Sequence, residues 1–236
     1  MSEKRRVMLK LSGEALAGDL KKGLCEENIL EVAKEVKEAW DNGVEIAIVI
    51  GGGNFWRGRQ NQNFDRVKSD QIGMLATVMN CLCVSEYFRT VGMKTAVFGS
   101  FEIPGIMPIF DKDNVMKALC EEHKVVFFAG GTGHPYFSTD TGIALRAIEI
   151  GADSILMAKN VDGVYDSDPV KNPDAKKFDT ISLKEVITKQ LGFMDLTAAA
   201  LCLENRMPIA IFSLKEPGAI TRALNGDIKG GTTITV

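Results

Sequence analysis

The chain reads as an α/β protein with a mainly parallel central sheet and helices on both faces. Two observations predict this. Short apolar runs alternate with amphipathic stretches at helical spacing along the 236 residues, and three of the runs end directly in glycine turns. Those turns are Lys10-Leu11-Ser12-Gly13, Gly51-Gly52-Gly53-Asn54 and Gly130-Gly131-Thr132-Gly133-His134-Pro135. In a sheet of this kind ligands collect beyond the carboxyl ends of the strands. A glycine there lets a phosphate reach backbone N–H groups without meeting a Cβ. Three such turns in one domain point to a site for several phosphates, and so to a nucleotide enzyme.

Taken in order, residues 5–12 predict the first strand, whose apolar run over 7–11 is interrupted only by Lys10. Residues 26–42 predict an amphipathic helix, with Ile29, Leu30, Val32, Ala33, Val36, Ala39 and Trp40 at helical spacing and Asn42-Gly43 as the stop. Strand 44–50 leads into the triple glycine. Residues 69–91 predict a long helix opened by Ser69-Asp70 and closed by Gly92; its stretch 74–79 is apolar on most sides, which points to the core or a subunit interface. Strand 93–98, helix 113–122 and strand 124–129 follow, then the third turn and helix 141–150. Strand 153–158 precedes an irregular, lid-like loop over 160–180, rich in Asp, Pro, Lys and Asn. Helix 196–205, strand 208–213, helix 217–224 and strand 232–236 complete the pattern. No composition break marks a second domain, so residues 1–236 read as one.

Composition narrows the chemistry. A net charge of −3 argues against a nucleic-acid surface, so an anionic ligand must be held by local Lys, Arg, backbone amides or a metal. Five cysteines (Cys25, Cys81, Cys83, Cys120, Cys202) lack zinc spacing and read as small apolar fillers in a reducing compartment. Lys4-Arg5-Arg6 before Val7-Met8-Leu9 mimics a signal peptide, but Lys10 breaks the apolar run, and no stretch has bilayer-spanning length. A cytoplasmic protein is expected, with no membrane partner.

Neither the P-loop nor the dinucleotide fingerprint is present, so the glycine turns work in another arrangement. Lys10, at a strand end, is either a surface lysine or an ammonium aimed across the sheet edge at phosphate. Arg57, four residues after the triple glycine, is either solvated or a guanidinium over the same phosphates. The segment 132–140 (Thr-Gly-His-Pro-Tyr-Phe-Ser-Thr-Asp) is dense in donors and acceptors and suits a base and ribose; Ser138 or Thr139 also serves as an N-cap. Asp140 either complements a helix dipole or orients Lys10 and a second lysine, Lys159 being the candidate.

Together with Gly-Met-Leu-Ala-Thr-Val-Met-Asn (73–80), Val-Asp-Gly-Val-Tyr (161–165), Asp168-Pro169 and Met194-Asp195-Leu196, these motifs resemble the bacterial UMP kinases of the amino-acid-kinase superfamily, in family order from about residue 5 to the C-terminus. His134 stands where that family usually carries Asn. The resemblance implies a three-layer sandwich with a UMP-binding N-terminal lobe and an ATP-binding C-terminal lobe. It implies γ-phosphoryl transfer from ATP to UMP with Mg²⁺ bound through the nucleotide phosphates, in a homohexamer. By position, Lys10, Leu11, Ser12, Gly13, Gly53, Arg57, Lys159, Asn160, Tyr165 and Asp168 would contact ATP. Gly52, Asp70, Thr132, Gly133, His134, Pro135, Tyr136, Phe137, Ser138 and Thr139 would hold UMP. Lys10, Arg57 and Asp140 would carry catalysis. Two rivals remain: a kinase of a carboxylate or carbamate such as acetylglutamate, and a non-catalytic nucleotide or oxyanion binder.

Overall fold

The computed structural model describes residues 4–58, 63–169 and 171–236. Eight strands form one sheet in the order β3-β4-β2-β1-β5-β9-β10-β8. They are β1 (Arg6–Leu11), β2 (Glu45–Ile50), β3 (Thr95–Gly99), β4 (Val125–Ala129), β5 (Ser154–Lys159), β8 (Thr180–Ser182), β9 (Ile209–Ser213) and β10 (Thr232–Thr235). The first six in that spatial order run parallel, while β10 is antiparallel to β9 and parallel to β8. The expected mainly parallel sheet is therefore present.

Both faces are covered, which explains why β2 and β4 are buried at every position. Along β1, Val7, Leu9 and Leu11 enter one core with helices α2 (Glu26–Asp41), α3 (Arg66–Thr90) and α8 (Ala219–Leu224). Met8 points the other way, into a second core with α5 (Thr139–Glu149) and α7 (Leu196–Glu204). The alternation is the period-two geometry of a strand read on both sides. All five cysteines are free thiols, and burial pushes those of Cys81 and Cys202 up to about 12, which leaves them inert as nucleophiles. Among the described residues no helix is long and apolar enough to cross a membrane.

Several boundaries differ from the sequence reading. Helix α3 begins three residues earlier than Ser69, because the Asp65 carboxylate caps it by accepting from the Lys68 N–H at 3.0 Å. Ser69 and Asp70 thus lie inside the first turns. Its apolar stretch divides: Ala76 and Val78 are core, whereas Leu75 and Met79 are about half exposed in the single chain. The expected helix 113–122 is a short α4 (Lys112–Met116) that widens into a π turn over Lys117–Glu121. The expected irregular loop 160–180 carries a two-stranded hairpin, β6 (Val164–Tyr165) with β7 (Lys177–Phe178). Strand β8 and helix α6 (Leu183–Thr188), the latter capped by Ser182, were not read from the sequence. One short helix, α1 (Gly13–Ala17), follows β1 directly.

From β1 the chain moves through β2 towards the β3 edge, then crosses back to β5 on the other side of β1. The reversal puts the topological switch point at the carboxyl ends of β1 and β5, where such sheets open a crevice.

Candidate active site

Two lysines mark that crevice. Lys10 lies one residue before the end of β1, in register with Val49 and Met157 of its neighbours. Its ammonium pairs with the carboxylate of Asp140, in the first turn of α5, 130 residues away. Lys159 ends β5, and its ammonium donates to the Phe193 carbonyl. Burial, against the opposing Asp140 carboxylate and with a smaller push from Lys10, lowers the Lys159 pKa to about 8. One carboxylate thus balances two ammonium groups at the end of the sheet.

The glycine turns are packed against one another. A Cβ on Gly13 would collide with Asn54 Oδ1 and the Gly51 carbonyl. A Cβ on Gly52 would come within 2.8 Å of the Gly73 carbonyl of α3. Asn54 and Asn80, both buried, exchange amide hydrogen bonds at 2.9 and 2.8 Å, and Asn80 also donates to the Gly51 carbonyl at 2.8 Å. Buried polar groups paired in this way hold a turn rigidly. Three glycine N–H groups are engaged within the protein: Gly51 with Leu11 O, Gly130 with Thr77 Oγ1 and Gly133 with Gly130 O. The expectation of bare amides fails at these three positions, because the ladder, the α3 side chain and the tight turn take them first. Arg57 forms an ion pair with Glu14 of α1, which faces the triple-glycine turn.

A pocket of about 210 Å³ opens on the β2 and β4 side. Its wall includes Gly52, Gly53, Asp70, Thr132, His134, Phe137, Ser138 and Thr139. The Asp70 carboxylate accepts from the Tyr136 N–H and from Arg66, each at 2.8 Å. Ser138 caps α5 by accepting from the Asp140 and Thr141 N–H groups and donates its hydroxyl to Asp195. Asp195 in turn caps α7 and accepts from the Thr141 hydroxyl at 3.2 Å. Gly133, Pro135 and Tyr136 belong to the same loop but lie outside the set that lines this pocket.

A second pocket, about 500 Å³, lies beyond β5 and is lined by Lys159, Tyr165, Asp168, Gln190, Phe193 and neighbours. The Tyr165 hydroxyl donates to Asp162 at 2.6 Å, and Lys177 donates to the same carboxylate at 2.8 Å. Burial pushes the Asp162 carboxyl up, but the hydrogen bonds from Lys177 and Tyr165 outweigh it and hold it below its ordinary range. Lys10, Leu11, Ser12 and Gly13 are outside the lining of both pockets; they follow β1, between the β2 turn of the first and the β5 end of the second. Asn160 and Arg57 are likewise outside both linings, and Gly53 lines the smaller pocket.

Sequence reasoning missed Trp56, Arg66, Ser69, Gly73 and Thr77 in the smaller pocket and Gln190 to Phe193 in the larger. Spacing from Asp70 to Gly73 and Thr77 on one helical face is a signal that was available for two of these positions. The 190–193 segment carries none.

The model of the amino acid kinase family matches residues 5–213. Among solved structures, UMP kinase from Ureaplasma parvum is 34% identical over 99% of this chain and 100% of that one, with a TM-score of 0.93. UMP kinase from Bacillus anthracis is 33% identical over 98% and 96%, with a TM-score of 0.92. Uridylate kinase from Archaeoglobus fulgidus is 26% identical over 97% and 99%, with a TM-score of 0.72.

Proposed function

The chain belongs to the amino acid kinase family, and from that premise we propose that it transfers the γ-phosphoryl group of ATP to UMP, giving UDP and ADP. The observation that carries this reading is the pair of pockets flanking Lys10 at the switch point of the sheet. The smaller takes UMP, through Gly52, Asp70 and residues 132–139. The larger takes the adenine nucleotide, through Lys159, Asn160, Tyr165 and Asp168, with Lys10 to Gly13, Gly53 and Arg57 on its phosphates. In this division the N-terminal lobe binds the acceptor and the C-terminal lobe the donor.

Phosphoryl transfer asks the protein for positioning and charge, since the transferring group spreads negative charge over its equatorial oxygens. The acceptor phosphate of UMP is already anionic, so no general base is needed. Lys10 neutralises charge on the transferring group from the β1 end, and Lys159 does so from the β5 end. Asp140 keeps Lys10 aimed and moderates the mutual repulsion of the two ammonium groups. Arg57 exchanges its Glu14 partner for phosphate oxygens, which a planar guanidinium suits.

Among the described residues no three His, Cys, Asp or Glu side chains cluster as a metal cage. The donor set suits Mg²⁺ carried by the nucleotide phosphates and its own waters, with Asp140 as the nearby carboxylate. When bound, the ion supplies further charge neutralisation on the phosphate oxygens. A homohexamer working in the cytoplasm completes the proposal, and the half-exposed Leu75 and Met79 of α3 suit a subunit interface.

A coupled ADP-release assay over UMP, CMP and acetylglutamate tests it. UMP-dependent turnover is expected. Turnover on acetylglutamate alone, or nucleotide binding with no turnover, overturns it.

A further inference from the structure

We propose that Arg66 is a positioning residue that decides which oxygen of Asp70 reads the sugar of the acceptor nucleotide, and so sets the preference for ribose over 2′-deoxyribose. This rests on the smaller pocket being the UMP site. Arg66 lines that pocket, and no role was expected of it. Its Nε–H donates to Asp70 Oδ2 at 2.8 Å, one helical turn along α3. The Tyr136 N–H donates to the same oxygen, also at 2.8 Å. The Arg66 guanidinium then lies over the Tyr136 ring, 5.4 Å from its centroid. Guanidinium, carboxylate and tyrosine backbone thus close a three-membered clasp across the rim.

Two donors on one oxygen orient the carboxylate plane. The other oxygen, Oδ1, is turned towards Gly58, where an added Cβ would come within 3.1 Å of it. Gly58 and Gly52 line the same pocket, so Oδ1 faces space kept open by small residues. A carboxylate oxygen presented there accepts only from donors; UMP offers the uracil N3–H and two sugar hydroxyls, and in this inference the 2′-hydroxyl meets Oδ1. The clasp also has a backbone cost to sustain. Tyr136 adopts φ +71, a left-handed conformation that a bulky residue holds only when its surroundings enforce it. The hydrogen bond to Asp70 and the stacked guanidinium provide that enforcement. Without Arg66, the carboxylate rotates and the loop relaxes, and the hydroxyl loses a fixed acceptor.

A hydrogen bond to a charged group discriminates against a ligand lacking the donor by roughly 10- to 100-fold. The test is kcat/KM for UMP and for dUMP, with saturating ATP, in the wild-type chain, Arg66→Leu, Arg66→Lys and Tyr136→Leu. The wild-type chain is expected to prefer UMP by that factor. Arg66→Leu is expected to raise the UMP KM about tenfold with kcat little changed and to leave dUMP nearly unaffected, so that the preference collapses. Arg66→Lys, which keeps the charge but not the planar fork, recovers part of it. Tyr136→Leu, at an exposed position, moves the ratio the same way by a smaller factor. Equal losses on UMP and dUMP in Arg66→Leu would show a purely structural role and overturn the inference. So would a wild-type enzyme that uses UMP and dUMP equally well, a result that leaves the kinase reading intact. Absence of UMP turnover in the wild-type chain overturns that reading itself.

Discussion

The smaller pocket is walled by the turns that follow β2 and β4 and by α3, and its supports are buried: Asn54 with Asn80, Thr77 under Gly130, Ser69 under Trp56. The larger pocket is walled by the β6–β7 hairpin and the 189–193 segment, and its supports are half-exposed ion pairs such as Lys177 with Asp162. Both open at the same sheet edge, yet one is held by hydrogen bonds sheltered from water and the other by contacts that water and salt weaken. The difference teaches where selectivity is to be found. A rigid wall can reject a substrate that leaves a fixed polar group unpaired, whereas a yielding wall accommodates whatever carries the right phosphates.

The comparison can be broken first at the point the pockets share. Lys10→Ala removes a preorganised charge from between them and is expected to lower turnover roughly 10²–10³-fold. Near-normal kcat in that variant would detach Lys10 from the chemistry. Next, Asn80→Ala strips a donor from the Gly51 carbonyl and from Asn54 Oδ1. A loss of about 3 kcal/mol in urea unfolding is expected from two buried acceptors left short. Its KM effect should fall on UMP and spare ATP; a loss under ~1 kcal/mol, or equal effects on both substrates, would erase the contrast between the walls.

Titration sharpens the other side. Lys159, lowered from 10.5 to about 8, is charged below that pH and loses its proton as pH rises through it. The ammonium proposed to meet phosphate is therefore present at neutral pH and withdrawn in alkali. A kcat/KM for ATP that falls about tenfold per pH unit above 8 is the expected profile. Lys159→Arg, which stays charged, should abolish that limb. The smallest effect belongs to the hairpin. Lys177→Ala breaks its ion pair with Asp162 and should cost ~1 kcal/mol or less, with at most about a fivefold change in the ATP KM. A tenfold larger effect would mean that the larger pocket is as rigid as the smaller.

Legibility followed the length of the physical signal. Strands β1, β2 and β4 were readable because burial on both faces demands continuous apolar runs, and α2 because its buried face recurs at helical spacing. The start of α3 was misplaced because its cap, Asp65, precedes Arg66 and Lys68 in a polar stretch with no apolar period to announce it. Strands β6 and β7 are two residues each, too short for any alternation, and their pairing depends on partners more than ten residues away. Arg66 carried no signal, since nothing local says that Tyr136, 70 residues later, stacks against it.

What the chain determined by itself was the layered α/β architecture, the glycine turns at strand ends and the candidate cations near them, because burial and backbone permissiveness are written into neighbouring residues. Only the tertiary structure decided that Lys10 meets Asp140 across 130 residues, that β10 runs against β9, and that Arg66 and Tyr136 share one oxygen of Asp70. Those outcomes depend on strand order and on the direction of a carboxylate, and neither is encoded in the spacing of residues along a chain.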